Sequence, residues 1–265
     1  MVIFAAQTHI HGSCFIWVPD VDYSIDYKFF VEIKISGLLE GAQQATGLTV
    51  VIDVFRAFSL ECYAFAAGAE KIIPVADIEQ AWLLKEKYPG SLLVGERHEQ
   101  RPDGFDFGNS PAQLLLHDLS GKTIIHTTSS GTQGLENAKH ADEVITGSFV
   151  NAGAIVQYIK ERKPVTVSLV PMGYACLYPV EEDDGCAAYI AGELNGNPPD
   201  FPAMVRQIRE TSGARFFLPE KQHYAPEEDF HLCLNINRFN FVLRKEMENG
   251  HMVIRKVEPE DFKKN

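Results

Sequence analysis

Short apolar runs alternate with polar turns and amphipathic stretches along most of the chain. The runs have the length and β-branched content of buried strands and cover residues 48–54, 71–75, 91–95, 122–126, 143–147 and 164–170. Between them, apolar residues recur at helical spacing, most clearly over residues 58–67, 77–88 and 151–161. This alternation predicts an α/β protein built around a mostly buried sheet.

The two ends of the chain follow the pattern less closely. Residues 1–29 are predicted to form an N-terminal extension, and residues 30–265 a single α/β domain that begins with an edge strand at 31–35. The last part is less apolar. There we predict a helix over residues 220–234 and one strand within residues 241–257.

A carboxylate and an arginine follow each of two predicted strands. Asp53 lies at the end of the run at 48–54 and Arg56 follows it, while Glu96 and Arg97 follow the run at 91–95. In open α/β sheets ligands bind beyond the carboxyl ends of the strands. A carboxylate there can hold a divalent cation or act as a base, and an arginine can clamp an oxyanion. The alternative is a purely structural ion pair between Asp53 and Arg56.

A hydroxyl-rich turn separates the predicted strand at 122–126 from a helical pattern. A helix N-terminus in that place can bind an anion through free backbone N–H groups. The candidate anion-binding residues are Thr128, Ser129, Ser130, Gly131 and Thr132. The alternative is an ordinary helix cap with spare hydroxyls.

Further polar residues lie at predicted helix starts. Asn109 or Ser110 would cap a helix that has Pro111 at its first position, and Ser148 precedes another helix. Four acids occupy residues 181–184, where a solvated helix start is favoured because the dipole attracts negative charge. In the alternative, one or two of them face the sheet edge and ligate a metal.

Composition narrows the class of function. The formal net charge of −12 argues against a nucleic-acid-binding surface. The five cysteines are scattered without a C-x-x-C pair, as in reduced cytoplasmic proteins. No apolar run is long enough to span a membrane, and no signal peptide is evident. We therefore expect a soluble cytoplasmic protein without a membrane partner.

Together these features favour the handling of a phosphate or sulfonate. Arginines and backbone N–H groups would bind its oxygens, while carboxylates would hold Mg²⁺ to offset the charge. No G-x-x-x-x-G-K-[ST] loop is present, and no G-x-G-x-x-G follows a strand, so nucleotide-binding folds lose their main support.

Several motifs, in one order, resemble the 2-phosphosulfolactate phosphatase family. They are V-I-D-V-F-R-A at 51–57, G-E-R at 95–97, G-F-D-F-G-N-S-P at 104–111, T-T-S-S-G-T at 127–132, G-S-F-V-N-A at 147–152, E-D at 182–183 and E-D-F-H-L-C at 228–233. The resemblance implies a three-layer α/β/α sandwich and a Mg²⁺-dependent acid phosphatase that converts 2-phosphosulfolactate to sulfolactate and phosphate. In methanogens that step belongs to coenzyme M biosynthesis.

On this hypothesis the substrate is a small polyanionic phosphate ester, and a homodimer is a candidate assembly. The catalytic candidates are Asp53, Arg56, Glu96 and Arg97, and the metal-ligand candidates are Asp53, Glu96, Glu182 and Asp183. Substrate oxygens would also meet Asn109, Ser110, Ser148 and residues 128–132. Phe58, Leu60 and Ser130 depart from the family pattern. They leave two alternatives, which are a catalytically silent anion-binding homologue and a phosphatase for a different small phospho-carboxylate.

Overall fold

The computed structural model of the protein describes residues 31–263, in which strands and helices alternate. The strands are β1 (Glu32–Ile35), β2 (Gly47–Ile52), β3 (Lys71–Val75), β4 (Leu92–Gly95), β5 (Thr123–Thr127), β6 (Ala141–Gly147), β7 (Thr166–Pro171), β8 (Val242–Glu248) and β9 (His251–Val257). The α-helices are α1 (Leu38–Gln44), α2 (Ala57–Ala66), α3 (Ile78–Lys87), α4 (Pro111–Leu114), α5 (Gly131–Asn137), α6 (Ala152–Arg162), α7 (Glu181–Asn195), α8 (Phe201–Glu210) and α9 (Glu227–Cys233). The extension predicted for residues 1–29 lies outside the described residues.

The nine strands of residues 31–263 belong to one mixed sheet with the order β1-β7-β2-β6-β8-β9-β3-β5-β4. Strands β1, β7, β2 and β6 form one parallel group, and β3, β5 and β4 form another. The antiparallel pair β8–β9 lies between the groups and pairs antiparallel with β6 and β3. Because each of these contacts reverses the strand direction, the two parallel groups run in opposite directions.

The prediction of a single strand within residues 241–257 is wrong, because a hairpin turn divides this segment into β8 and β9. Asn249 and Gly250 form the turn with φ angles of 52° and 80°. An Asn-Gly pair at positive φ is the strongest short-range hairpin signal.

The two parallel groups share one core around α2. Nine of the ten α2 residues are buried, so this helix is enclosed by the protein on every side. One continuous cluster contains Phe58 of α2 with Val51 of the first group and Ile72 and Ile124 of the second. The predicted α/β sandwich is thereby confirmed, with α2 packed between side chains of both groups.

The predicted elements of residues 31–195 match the structure to within a few residues, and the less apolar part was predicted less well. The helix predicted over residues 220–234 is only α9, since Pro226 fixes its start. Helix α8 was not predicted. Within the described residues, no helix has the length and apolar character needed to cross a membrane.

Candidate active site

A cleft opens where the ends of β2, β4 and β5 meet the start of α7. The residues that line it are Asp53, Phe55, Arg56, Glu96, His98, Glu99, Asn109, Ser129, Ser130, Gly173, Tyr174, Ala175, Val180, Glu182, Asp183 and Arg215. Five of these side chains are carboxylates and two are arginines. All four predicted metal ligands lie on this one cleft.

Asp53 is the first residue beyond β2, and both of its carboxylate oxygens are held by backbone. Oδ1 accepts from the N–H of Ala57 (3.2 Å), and Oδ2 accepts from the N–H of Gly131 (2.8 Å). Burial, opposed by these bonds and assisted by the charge of Glu96, raises the pKa of Asp53 to about 7. Two N–H donors therefore fix the carboxylate but do not compensate for its burial.

Asp183 at the start of α7 has the same kind of environment. Its oxygens accept from the N–H groups of Val54 (2.8 Å) and Gly173 (2.9 Å). Burial raises its pKa well above the usual range, and the charge of Asp53 raises it further. Asp53 and Asp183 are therefore close enough for the charge of Asp53 to raise the pKa of Asp183.

The remaining predicted metal ligands differ in how many partners they have. Glu96 accepts from the N–H groups of Ser129 (2.7 Å) and Glu99 (2.9 Å). Glu182 is buried, and its Oε2 has no hydrogen-bond partner among residues 31–263. Burial raises the pKa of Glu182. Such an unpaired buried oxygen is the kind of group for which a ligand or cation is expected.

The favoured expectation of a solvated acidic run at residues 181–184 is wrong for its two middle members. Glu182 and Asp183 are each 2% exposed, whereas Glu181 is half-buried and Asp184 exposed. Adjacent residues lie about 100° apart around a helix, so two neighbours can face the sheet edge while those on either side face outward.

The carboxylate oxygens fit Mg²⁺ in chemical type. No three His, Cys, Asp or Glu side chains among residues 31–263 are grouped so that they could hold a metal ion by themselves. Mg²⁺ does not need such a cage, because it keeps several waters and is often bound through one or two carboxylates and substrate phosphates. Glu182, with its unpaired oxygen, is the donor that fits best.

The arginines are placed differently from one another. Nη1 of Arg56 donates to Asp229 Oδ2 (2.7 Å) and to the carbonyl of Tyr224 (2.6 Å), so the proposed pair with Asp53 is not formed. Arg97 donates to the carbonyl of Ala76 (2.9 Å) and to Thr127 Oγ1 (2.8 Å), and it is not among the cleft residues. Burial lowers the pKa of Arg97.

The hydroxyl-rich turn also differs from the expectation. The N–H groups of Ser129 and Gly131, which were predicted to receive a ligand anion, are bound to Glu96 and Asp53. Ser130 Oγ donates to the carbonyl of Gly173 (2.8 Å), and Thr128 and Thr132 bond to each other. The anions at this helix start are the protein's own carboxylates. Ser129 and Ser130 still line the cleft.

Two of the other predicted anion-binding residues have structural partners. Ser110 caps α4 and donates to Asp229 Oδ1 (2.9 Å). Ser148 is completely buried, forms a capping box with Asn151 and lies 2.6 Å from Ser59 Oγ. Neither serine lines the cleft, whereas Asn109 does.

Ser148→Ala is expected to lower the free energy of unfolding by about 1 kcal/mol, the usual cost of removing a cap. The rate of phosphate release per folded molecule should stay the same, because Ser148 is outside the cleft. Urea unfolding and a steady-state assay measure the two quantities. If the variant were tenfold slower and equally stable, Ser148 would have to be counted again among the substrate-binding residues.

Sequence reasoning missed Arg215, which reaches the cleft from the 3-10 helix Ser212–Phe217. Its Nε lies 3.5 Å from Glu99 Oε1, and Glu99 also binds Lys221 (3.2 Å). No strand end or cap precedes Arg215, so no local signal could have identified it.

Strained backbone surrounds this part of the cleft. His98 and Glu99 have φ angles of 54° and 68°, and Ala175 and Cys176 have φ angles of 49° and 59°. Non-glycine residues in this conformation cost energy and cluster at functional sites.

Comparison with known proteins gives a consistent result. The sequence model of the family described as 2-phosphosulpholactate phosphatase matches residues 35–248. A protein of Carboxydothermus hydrogenoformans is 35% identical over 223 residues, which are 77% of this chain and 89% of that protein. One from Clostridium perfringens strain SM101 is 33% identical over 222 residues, 77% of this chain and 87% of that protein. One from Thermotoga petrophila is 46% identical over 116 residues, 44% of this chain and 50% of that protein. Each is named "Probable 2-phosphosulfolactate phosphatase".

Proposed function

The chain belongs to the 2-phosphosulpholactate phosphatase family and is a phosphoric monoester hydrolase, and we propose that its cleft hydrolyses 2-phosphosulfolactate, or a closely similar small phospho-acid, with the help of Mg²⁺. The observation that supports a bound metal ion is the negative charge of the cleft, which is lined by five carboxylates and two arginines. An anionic phosphate ester would be repelled by this lining unless a cation were bound with it.

The raised pKa values support the same proposal. Burial raises the pKa values of Asp53, Glu182 and Asp183. The protein's own groups therefore supply too little positive charge to offset the burial of these carboxylates. Of the candidates Glu182, Asp183, Asp53 and Glu96, one or two would hold the ion directly, and Glu182 is the first of them because its Oε2 is unpaired. When bound, Mg²⁺ supplies positive charge that polarises the phosphoryl oxygens and offsets the charge developed in the transition state.

The chain's own residues orient the substrate. Asp53 and Asp183 are fixed by two backbone donors each, so the carboxylates do not need to reorganise during the reaction. Asn109 and Ser129 offer polar groups along the same wall. Arg56 also lines the cleft, and its ion pair with Asp229 fixes the position of the guanidinium.

We assign the second anionic group of the substrate, a sulfonate or carboxylate, to Arg215. The side chain of Arg215 is 17% exposed, and its two polar contacts, to Glu99 Oε1 and to the carbonyl of Phe55, are both long at 3.5 Å, which leaves guanidinium donors for a ligand. Arg97 has its donors bound to backbone and Thr127, so it serves the substrate less directly.

Arg215→Ala should raise KM about tenfold for a phospho-acid with a second anionic group, equivalent to about 1.4 kcal/mol of binding. KM for p-nitrophenyl phosphate, which lacks that group, should change much less. Arg206→Ala is the matched control, because Arg206 lies exposed on α8 and its loss changes the net charge equally. Equal effects of Arg215→Ala on both substrates would contradict the assignment.

The function is tested by phosphate release from the purified protein. The substrates are 2-phosphosulfolactate and a panel of small phospho-carboxylates, each assayed with Mg²⁺ and after removal of metal with EDTA. We expect release that is fastest on the sulfonate and is lost with EDTA, then restored by Mg²⁺. Faster release from another phospho-acid would make that compound the preferred substrate in place of 2-phosphosulfolactate. Metal-independent release would exclude the role of Mg²⁺.

We also propose that the reaction takes place in the cytoplasm. The four cysteines within residues 31–263 are free thiols, which is usual for proteins of a reducing compartment.

A further inference from the structure

Three polar side chains form a hydrogen-bonded chain from the core to the cleft. Nδ1 of His126 in β5 lies 2.9 Å from Glu61 Oε1 on α2, and its Nε2 lies 3.2 Å from Asn109 Oδ1. Glu61 and His126 are completely buried, and Asn109 is 4% exposed. Only Asn109 reaches the cleft lining. None of the roles assigned above uses Glu61 or His126.

Burial restricts the protons that this pair can carry. A net charge on a fully buried pair is costly, so the neutral combinations are favoured. These are an imidazolium with a carboxylate, or a neutral imidazole with a carboxylic acid whose O–H donates to Nδ1. Burial raises the pKa of Glu61, which moves the pair toward the second form. In both forms Nε2 of His126 carries a hydrogen.

That hydrogen determines how the Asn109 amide is turned. Nε2–H needs an acceptor, and the nearest is Asn109 Oδ1. The opposite orientation would set the amide N–H₂ against the imidazole N–H, with no acceptor between them. The Nδ2 group must then point away from His126, and it makes no hydrogen bond within residues 31–263.

We infer that Glu61 and His126 are positioning residues that lock the side-chain amide of Asn109 with its N–H₂ group toward the cleft, where it donates to an oxygen of the substrate's phosphate. The inference rests on the proposed function. Without the Glu61–His126 pair, the Asn109 amide could turn its oxygen toward the cleft and repel the anion. The pair therefore does more than fill the core.

The test is a double-mutant cycle on the binding of inorganic phosphate, measured by calorimetry in Mg²⁺. Glu61→Leu and Asn109→Ala should each weaken phosphate binding about tenfold. The double variant should bind no more weakly than Asn109→Ala, because Glu61 acts only through Asn109. Glu61→Gln should recover most of the loss, since its amide N–H can donate to Nδ1 and keep the hydrogen on Nε2. Ser91→Ala is the control for altering a buried polar group away from the cleft.

A spectroscopic measurement on the unaltered protein completes the test and does not depend on how the variants fold. The ¹⁵N chemical shift of His126 should show a protonated Nε2 at neutral pH. A bare Nε2, additive losses in the cycle, or unchanged phosphate affinity in Glu61→Leu would overturn the inference. If the unaltered protein released no phosphate from any substrate, the proposed function would fail instead.

Discussion

Asp53→Asn is expected to lower the rate of phosphate release by about 10²–10³-fold, the scale of losing one preorganised electrostatic group. Asp53 is 5% exposed and lies on the cleft beside Glu96 and Asp183. The substitution removes the charge and replaces one acceptor oxygen by N–H₂, which then faces a backbone N–H. The remaining oxygen can still accept a hydrogen bond, so the fold should persist.

The measurement is kcat with 2-phosphosulfolactate at saturating Mg²⁺, together with thermal unfolding. Asp106→Asn is the matched control, because Asp106 also accepts from a backbone N–H, that of Leu93 (2.7 Å), but does not line the cleft. We expect the control to keep its activity. An Asp53→Asn enzyme with near-normal kcat would remove Asp53 from the catalytic group.

Asp229→Ala is expected to lower the free energy of unfolding by about 3–5 kcal/mol, the usual cost of removing one partner from a buried ion pair. Asp229 lies 2.7 Å from Arg56 Nη1, and the two side chains are 0% and 4% exposed. The other oxygen of Asp229 accepts from Ser110 and from the N–H of Ala112. The variant would leave a buried guanidinium without its carboxylate and two donors without an acceptor.

Equilibrium unfolding in urea measures this loss, with Glu32→Ala as the control. Glu32 pairs with Lys34 at 3.4 Å on the edge strand β1, where both side chains are more than half exposed. Such surface pairs contribute about 0–1 kcal/mol. If Asp229→Ala cost no more than Glu32→Ala, the buried Arg56–Asp229 pair would not stabilise the fold beside the cleft.

Local sequence signals located the residues whose position depends on their own strand. Asp53 and Glu96 follow β2 and β4, and the carboxyl end of a strand is visible in the apolar pattern itself. Ser129 and Ser130 follow β5 in the same way. For these residues the local pattern was sufficient to predict a position just beyond the end of a strand.

Partners far apart in the chain could not be predicted in this way. Arg56 pairs with Asp229, which is 173 positions away, and neither residue carries a local mark of the other. The burial of Glu182 and Asp183 depends on which face of α7 meets the sheet, and four consecutive acids do not reveal that face. Arg215 reaches the cleft through the packing of a 3-10 helix, for which no periodic pattern exists.

The placement of β8 and β9 between the two parallel groups has a consequence for the synthesis of the protein. Lys71 at the start of β3 binds Glu248 at the end of β8, although the two are 177 positions apart. Until β8 and β9 leave the ribosome, β6 and β3 each present an unpaired strand edge, and such edges favour aggregation. Both edges must therefore be protected in the nascent chain until this hairpin has been made. The cleft takes Asp53 from one group and Glu96 from the other, so the last hairpin completes the sheet that carries both carboxylates.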